Sequence, residues 1–200
     1  MPKQTWKGST LLNPAPPILV SCGDMEHPNL ITIAWAGTIC TQPSMVSISI
    51  RPERHSYPQI VESGQFVINL PTEALLRAVD WCGVRSGRDY DKFAEMGLHA
   101  EPSAVLEGCP MLAESPVNLE CKVTQIIPLG THDLFLAEVV AVNVDESLLD
   151  ESGKLCLERA KLIAFSHGEY FSLGKVLGTF GYSVRKKKKP RKPTAKKENR

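Results

Sequence analysis

The sequence predicts a mainly β protein with a few helices, folded as a closed antiparallel barrel. Short apolar or alternating segments recur along the chain, and turns rich in glycine, proline and polar residues separate them. Two of these segments, 117–127 and 135–144, are joined by seven residues, which is too short for the helix that a parallel crossover needs. A Rossmann domain is not indicated, because no GxGxxG motif follows a strand.

Composition divides the chain into one domain and a tail. With 42% hydrophobic and 22% charged residues, the whole has the composition of a globular protein. Residues 185–200 contain ten Lys or Arg and one Glu, a net charge of +9, whereas residues 1–184 carry −8. We therefore predict one domain over 1–184 and a disordered basic tail over 185–200. The tail could bind nucleic acid or another anionic partner, contact the acidic body, or remain solvated.

The N-terminus and the cysteines bear on location and on metals. Residues 1–17 lack the apolar core and cleavage site of a secretory signal, and no apolar run is long enough to cross a bilayer. We therefore expect a cytoplasmic protein without a membrane partner. The six cysteines are irregularly spaced and form no CxxC motif, so neither a metal site nor a disulfide framework is predicted.

The first half of the predicted barrel begins with a strand over 18–22 and a turn over 23–28. Asn29 then opens a long strand, 30–40, whose small and hydroxyl-bearing residues leave room for something flat, with Gly37 as an interruption. Asn29 itself is a candidate cap for the preceding turn.

The next strand shows the clearest alternation in the chain. From Met45 to Arg51, three apolar residues (Val46, Ile48, Ile50) alternate with Ser47, Ser49 and Arg51, as expected of a half-buried strand. The following turn carries Arg54, His55 and Ser56 and leads into a helix predicted over 56–64. Arginines, hydroxyls and helix-entry amides at one point are suited to binding a phosphate.

The remaining elements follow from similar patterns. We predict a strand over 65–70, then a helix that Thr72 caps and that buries Leu75, Leu76 and Val79 before ending near Cys82–Gly83. A polar turn over 86–91 leads into a short helix that Gly97 ends. The strands predicted over 117–127 and 135–144 form a hairpin or meander, and in the first of them apolar residues alternate with polar ones on the opposite face. The glycine- and aromatic-rich segment 162–184 is predicted to be a packed arm that covers a cofactor or a partner subunit.

Four segments together resemble one known family. NLITIAW (29–35), MVSISIRPERHS (45–56), CGVRSGRDYDKF (82–93) and HGEYFSLGKVLGTFGYSV (167–184) are similar, in order and spacing, to the flavin reductase-like family with an FMN-binding split barrel, and most of all to its flavoredoxin branch. The resemblance covers about residues 10 to 184. It implies a split barrel of antiparallel Greek-key type, noncovalently bound FMN, a homodimer, and NADH or NADPH as electron donor.

The resemblance and the phosphate argument together give the candidate site. We expect Ser49, Arg51, Arg54, His55 and Ser56 to bind the phosphate, and Trp35 with its small neighbours to form an apolar slot for the ring. The resemblance further implies Lys92 at the pyrimidine edge of the flavin and His132 on the side where a nicotinamide arrives. The candidate cofactor-binding residues are Asn29, Thr32, Ile33, Ala34, Trp35, Ser49, Ile50, Arg51, Arg54, His55, Ser56, Cys82, Ser86, Lys92 and Phe93.

Three functions remain open at this level. The first is a flavin reductase, in which NADH or NADPH delivers a hydride to the flavin and no protein acid or base is needed, so that no residue is predicted to be catalytic. The second is a flavoredoxin-type protein that passes electrons to a protein or metal acceptor. The third, from a different class, is a non-catalytic module that binds flavin, haem or nucleic acid.

Overall fold

The computed structural model describes residues 1–185, so the predicted disorder of the tail from residue 186 onward lies outside the described residues. Among them, eleven strands and three α-helices succeed one another along the chain. The strands are β1 Ile18–Gly23, β2 Pro28–Ile33, β3 Ala36–Thr41, β4 Ser44–Ile50, β5 Gln65–Asn69, β6 Ala100–Pro102, β7 Pro110–Leu112, β8 Val117–Pro128, β9 Asp133–Val144, β10 Ile163–Ser166 and β11 Glu169–Ser172. The helices are α1 Ser56–Ser63, α2 Leu76–Val84 and α3 Lys92–Met96.

One seven-stranded sheet, in the order β2-β1-β5-β8-β9-β4-β3, forms the body of the fold. Every pair of neighbouring strands is antiparallel, including β8 and β9, for which the short connection predicted it. Two small antiparallel sheets, β6–β7 and β10–β11, stand beside it. The expectation of a mainly β fold with few helices is confirmed.

The main core lies against one face of this sheet. Val46, Ile48 and Ile50 of β4 are buried there with Phe66 and Phe135, while the serines between them remain partly exposed on the opposite face. The alternation read from the sequence therefore sets which face of β4 is buried.

The long strand predicted over 30–40 is wrong, because the chain breaks after Ile33. Ala34 and Trp35 lie in a bend between β2 and β3, and the predicted interruption, Gly37, is inside β3. The carbonyl of Trp35 accepts a hydrogen bond from the amide of Ser49 (3.0 Å), which holds the bend beside the end of β4.

The helices begin and end near the predicted residues. Gly64 ends α1 in the left-handed region (φ 66°), and its amide donates to the carbonyl of Ile60 at 2.9 Å. The second helix differs in two ways: a 3₁₀ turn precedes α2 and Thr72 makes no side-chain cap, while Leu76, expected to be buried, is 39% exposed. Asp91 caps α3 through its carboxylate.

Glu120 of β8 is fully buried, although the alternation along this segment puts it on the polar face. Its carboxylate accepts hydrogen bonds from the amides of Ala104, Val105 and Leu106, each at 2.8 Å, and from Asn143 Nδ2 at 2.8 Å. Burial acts to raise the pKa of this carboxyl, but the bonds from Asn143 and the three amides outweigh it and lower the pKa. Glu120 thus fixes the 104–106 loop on the β8–β9 hairpin.

The terminal segments are joined to each other but only partly to the body. Ala15 and Phe165 exchange backbone hydrogen bonds of 2.8 and 2.9 Å, which pairs the N-terminal segment with β10. Beyond β11 the predicted packed arm does not pack on its own chain, and Leu177 and Phe180 are almost fully exposed. Within residues 1–185, no helix is both long and apolar enough to span a membrane.

Candidate functional site

Two adjoining cavities lie beside the end of β2, and both are lined by Ile31. The first, which we call the slot, measures about 140 Å³ and lies between the bend at Ala34–Trp35 and the end of β4. Its lining is largely apolar at the bend and basic at the strand end. The lining residues are Ile31, Thr32, Ile33, Ala34, Trp35, Ser49, Ile50, Arg51, Arg54 and His132.

The second cavity, the basic cavity, measures about 500 Å³ and lies between the start of α1 and the loop that joins α2 to α3. It shares Ile31 and Arg54 with the slot, so the two form one continuous groove. Four cationic side chains and two hydroxyls belong to its wall. The lining residues are Ile31, Glu53, Arg54, His55, Ser56, Cys82, Arg85, Ser86, Gly87, Arg88, Asp89 and Lys92.

Lys92 is a buried cation in this wall. Only 4% of the residue is exposed, and its ammonium donates to the backbone carbonyls of Leu30 (2.7 Å) and Cys82 (2.8 Å). Burial lowers the pKa of Lys92, although the nearby thiols of Cys82 and Cys22 oppose the effect. Two carbonyl acceptors satisfy two of the three ammonium donors, which leaves capacity for an acceptor in the cavity.

The histidines of the two cavities both have a lowered pKa, for which burial is the largest cause. Burial is the largest cause of a lowered pKa at His55, and the charges of Arg88 and Lys92 lower it further. At His132, burial comes first again and the charge of Arg51 adds to it. The cations beside these histidines would also favour a bound anion, whereas the charge of Glu53 opposes their effect at His132.

A hydrogen-bonded cluster behind the basic cavity holds Ser56 in place. Asn29 Nδ2 donates to Ser56 Oγ (2.8 Å) and to Gln59 Oε1 (3.0 Å), and Asn29 is itself buried. The turn before it is capped instead by Asp24, whose carboxylate accepts from the amides of Glu26 and His27. Asn29 therefore orients a cavity hydroxyl and lines neither cavity.

The loop after α2 approaches this cluster closely. A Cβ at Gly87 would collide with the side chains of Asn29 and His55, so any larger residue would push the loop away from the cavity. On the same loop, Arg88 donates to the backbone carbonyl of Glu53 (3.3 Å), which ties the loop to the turn before α1.

At the other end, the ring of Trp35 contacts the imidazole of His132. Their ring centroids are 4.6 Å apart at an interplanar angle of 52°. Trp35 remains 48% exposed and lines the slot, so part of its side chain is accessible to a ligand there. The slot thus combines an aromatic wall with small neighbours.

The structure brings together most of the predicted residues, in two groups. Eight of them line the slot (Thr32, Ile33, Ala34, Trp35, Ser49, Ile50, Arg51, Arg54), and His55, Ser56, Cys82, Ser86 and Lys92 line the basic cavity with Arg54. Phe93 lines neither and packs in a second core with Leu19 and Leu30. Sequence reasoning missed Arg85 and Arg88, although both stand in the CGVRSGRDYDKF segment; two further cations flanking Ser86 and Gly87 were the available signal.

This arrangement fits a planar molecule that carries a phosphate. The slot offers a flat apolar space, and the basic cavity offers cations, hydroxyls and the first turn of an eight-residue helix. No cluster of His, Cys, Asp or Glu within residues 1–185 could hold a metal ion.

The chain belongs to the flavin reductase-like family: residues 11–174 match the family model described as "Flavin reductase like domain". This is an FMN-binding family, and its split barrel is the fold of the seven-stranded sheet described above.

Several characterised proteins are similar to it. Flavoredoxin of Desulfovibrio vulgaris (Miyazaki F) superposes with a TM-score of 0.84 and 32% identity, covering 92% of this chain and 100% of that one. An FMN-binding protein from Thermus thermophilus, with bound 1-cyclohex-2-enone, has the same fold (TM-score 0.74, 24% identity, 90% and 97% covered). An NADPH-flavin oxidoreductase of Streptomyces viridifaciens is 26% identical over 67% of this chain and 69% of its own.

Proposed function

We propose that the protein binds FMN noncovalently and transfers electrons from NADPH or NADH through it. The observation that carries this is the continuous groove, which joins an aromatic slot to a basic cavity in a chain of an FMN-binding family. Bound FMN supplies the redox chemistry, since its ring accepts a hydride and returns electrons singly or in pairs. Purified protein with the absorption spectrum of a flavin would support the proposal, and colourless protein that fails to bind added FMN would overturn it.

The size and charge of the two cavities suggest how FMN lies. The basic cavity suits the phosphate, because Arg54, Arg88 and Lys92 surround it and Ser56 adds a hydroxyl at the start of α1. The slot suits the ring, because Trp35 and Ala34 offer flat apolar contact. In this orientation Lys92 binds the phosphate end, which differs from its predicted place at the pyrimidine edge.

The protein's own part in the reaction is orientation and exclusion of water. Hydride transfer needs no general acid or base, and in the part of the chain that the structure describes no carboxylate lines the slot to act as one. His132 and Arg51 at the outer end of the slot are the groups that a nicotinamide dinucleotide would meet, and their charge environment favours its phosphates. Anaerobic mixing with NADPH and with NADH, followed at 450 nm, would compare the two donors.

A flavoredoxin-type electron carrier is the second candidate. It is supported by the 32% identity to a flavoredoxin over 92% of the chain. Both candidates require FMN in the groove and differ in the electron donor. Rapid flavin reduction by NADPH or NADH favours the reductase, whereas reduction only by a low-potential electron-transfer protein favours the carrier.

We further propose that two copies form a homodimer through the segment after β11. Leu173, Val176, Leu177, Phe180 and Tyr182 are all strongly exposed there, which is an unfavourable amount of apolar surface for a lone chain. Light scattering should give twice the monomer mass for the wild type, and replacing Leu177 and Phe180 together by aspartate should give monomers. A monomeric wild type would refute the dimer. The cytoplasmic location stays a prediction.

A further inference from the structure

A third cavity, which we call the arm groove, lies beside the slot on the outer face of β3 and β4. It measures about 420 Å³, a size typical of small-molecule sites. Its walls include Leu12 and Pro14 of the N-terminal segment, Trp35, Gly37, Ser47 and Ser49. Among residues 1–185, no charged side chain lines it. It is therefore unsuited to a phosphate or a dinucleotide, unlike the basic cavity.

The floor of the arm groove is flat because of the residues at its centre. Gly37 pairs with Ser47 in the β3–β4 ladder, and the next serine on that face, Ser49, donates its amide to Trp35. A Cβ placed on Gly37 would meet no heavy atom within 4 Å, so the space above this residue is open. The floor thus presents the hydroxyls of Ser47 and Ser49 beside the open space above Gly37.

The rim of the groove is held in position by the opposite end of the chain. The two backbone bonds between Ala15 and Phe165 anchor the N-terminal segment on β10, and the amide of His167 donates to Asn13 Oδ1 at 3.4 Å. Pro14 therefore faces the groove from a segment fixed on both sides, and Leu12 extends the apolar rim.

Continuity with the slot indicates what the arm groove is for. Ala34, Trp35 and Ser49 line both cavities, so a molecule in the arm groove lies next to whatever occupies the slot. We propose that the arm groove binds a small, uncharged, planar electron acceptor of the quinone class. Apolar walls contact the ring, and the hydroxyls of Ser47 and Ser49 donate to its carbonyl oxygens.

The acceptor step rests on the proposed function, whereas the binding does not. Two electrons and one proton come from NADPH as a hydride, a second proton comes from water, and the quinone leaves as its hydroquinone while NADPH becomes NADP⁺. Every electron taken from the donor is thereby accounted for, and oxygen is not required.

Binding can be measured without the cofactor. Duroquinone is a suitable probe, because its four methyl groups leave no ring position open to addition by the cysteines. Calorimetric titration of the FMN-free protein should show saturable binding to the wild type. Gly37→Phe, which fills the floor of the groove, should weaken that binding at least tenfold. Thr38→Phe, the adjacent exposed residue that pairs with Val46 and faces the other side of β3, should leave it within about twofold.

A second pair of variants tests the rim. Leu12→Asp should weaken duroquinone binding, whereas Leu11→Asp, next to it but outside the groove, should not. In turnover with FMN and NADPH, Gly37→Phe should raise the KM for duroquinone and leave the rate of flavin reduction unchanged.

The outcomes are distinguishable from those that test the proposed function. Wild-type duroquinone affinity in Gly37→Phe, or no saturable binding to the wild type, overturns the inference. The inference is also overturned if Gly37→Phe becomes monomeric and keeps wild-type duroquinone affinity, because the groove would then be covered by a second copy. Intact duroquinone binding with no flavin reduction by NADPH or NADH overturns the reductase function and leaves the groove assignment standing.

Discussion

Replacing Lys92 by methionine separates the two possible positions of this buried cation. If Lys92 binds the phosphate end, the variant loses a charge-assisted hydrogen bond, which contributes about 1.5–3 kcal/mol, so FMN affinity should fall roughly 10- to 100-fold. Riboflavin lacks the phosphate, and its affinity should not change. The midpoint potential should also stay constant, because the phosphate carries the same charge in both redox states of the ring.

A position at the pyrimidine edge makes the opposite predictions. A cation there interacts more strongly with the reduced, anionic ring than with the oxidised ring, so Lys92→Met should lower the midpoint. A difference of 1.4 kcal/mol corresponds to about 30 mV for a two-electron couple. Fluorescence titration with FMN and riboflavin, combined with potentiometry, measures all three quantities. A midpoint shift of tens of millivolts with an equal loss of riboflavin affinity would refute the phosphate assignment.

The controls must separate binding from folding. Lys122→Met on β8 removes an exposed lysine and should change none of the three quantities. The carbonyls of Leu30 and Cys82 lose a donor in Lys92→Met, so the melting temperature of the FMN-free variant is needed beside its affinity. Lys92→Gln keeps a donor without the charge and serves if the methionine variant does not fold.

Three further predictions follow from other parts of the chain. Arg54→Ala with Ser56→Ala should weaken FMN binding at least tenfold while the fold persists, and an unchanged titration would remove the phosphate from this end. Truncation after Arg185 should preserve melting temperature and turnover, whereas a large drop in either would mean that the tail docks on the acidic body. Glu120→Gln should lower the free energy of unfolding by about 1.5 kcal/mol or more, unlike Glu138→Gln at an exposed site, as urea unfolding would show. Because the folded-state pKa of Glu120 is below its ordinary 4.5, its stabilisation is complete above about pH 4.5 and is lost as pH falls through the folded-state pKa, so the variant should lose less stability over that range.

Local patterns predicted the parts of the fold that are themselves local. The alternation from Met45 to Arg51 gave the buried face of β4, and Gly64 and Gly97 gave the ends of two helices, because strand periodicity and a left-handed glycine act within a few residues. Glu120 could not be predicted in the same way. Its burial depends on amides from a loop 14 to 16 residues upstream, and the alternation of residues along β8 does not indicate where those amides lie.

The candidate site likewise has one part that local sequence could predict and another that depends on contacts across the fold. The turn at Arg54–Ser56 combined cations, hydroxyls and a helix start within three residues, so its suitability for a phosphate could be predicted locally. The approach of the Arg85–Arg88 loop depends on contacts across the fold, through Gly87 against His55 and Arg88 against Glu53. Sequence spacing alone could not bring those cations to the same cavity.

The break after Ile33 explains why cavities open at this point of the barrel. Ile33 pairs with Ile18, the first residue of β1, so a longer β2 would have no partner in the ladder. The chain resumes in β3, which pairs with β4 at the opposite edge of the seven-stranded sheet. Ala34 and Trp35 therefore join the two edges of the sheet and belong to neither strand, although the carbonyl of Trp35 accepts a hydrogen bond from the amide of Ser49. A continuous strand over 30–40 would have placed ladder hydrogen bonds where the chain now bends. The bend instead leaves space for the slot and the arm groove, both of which Ala34 and Trp35 line.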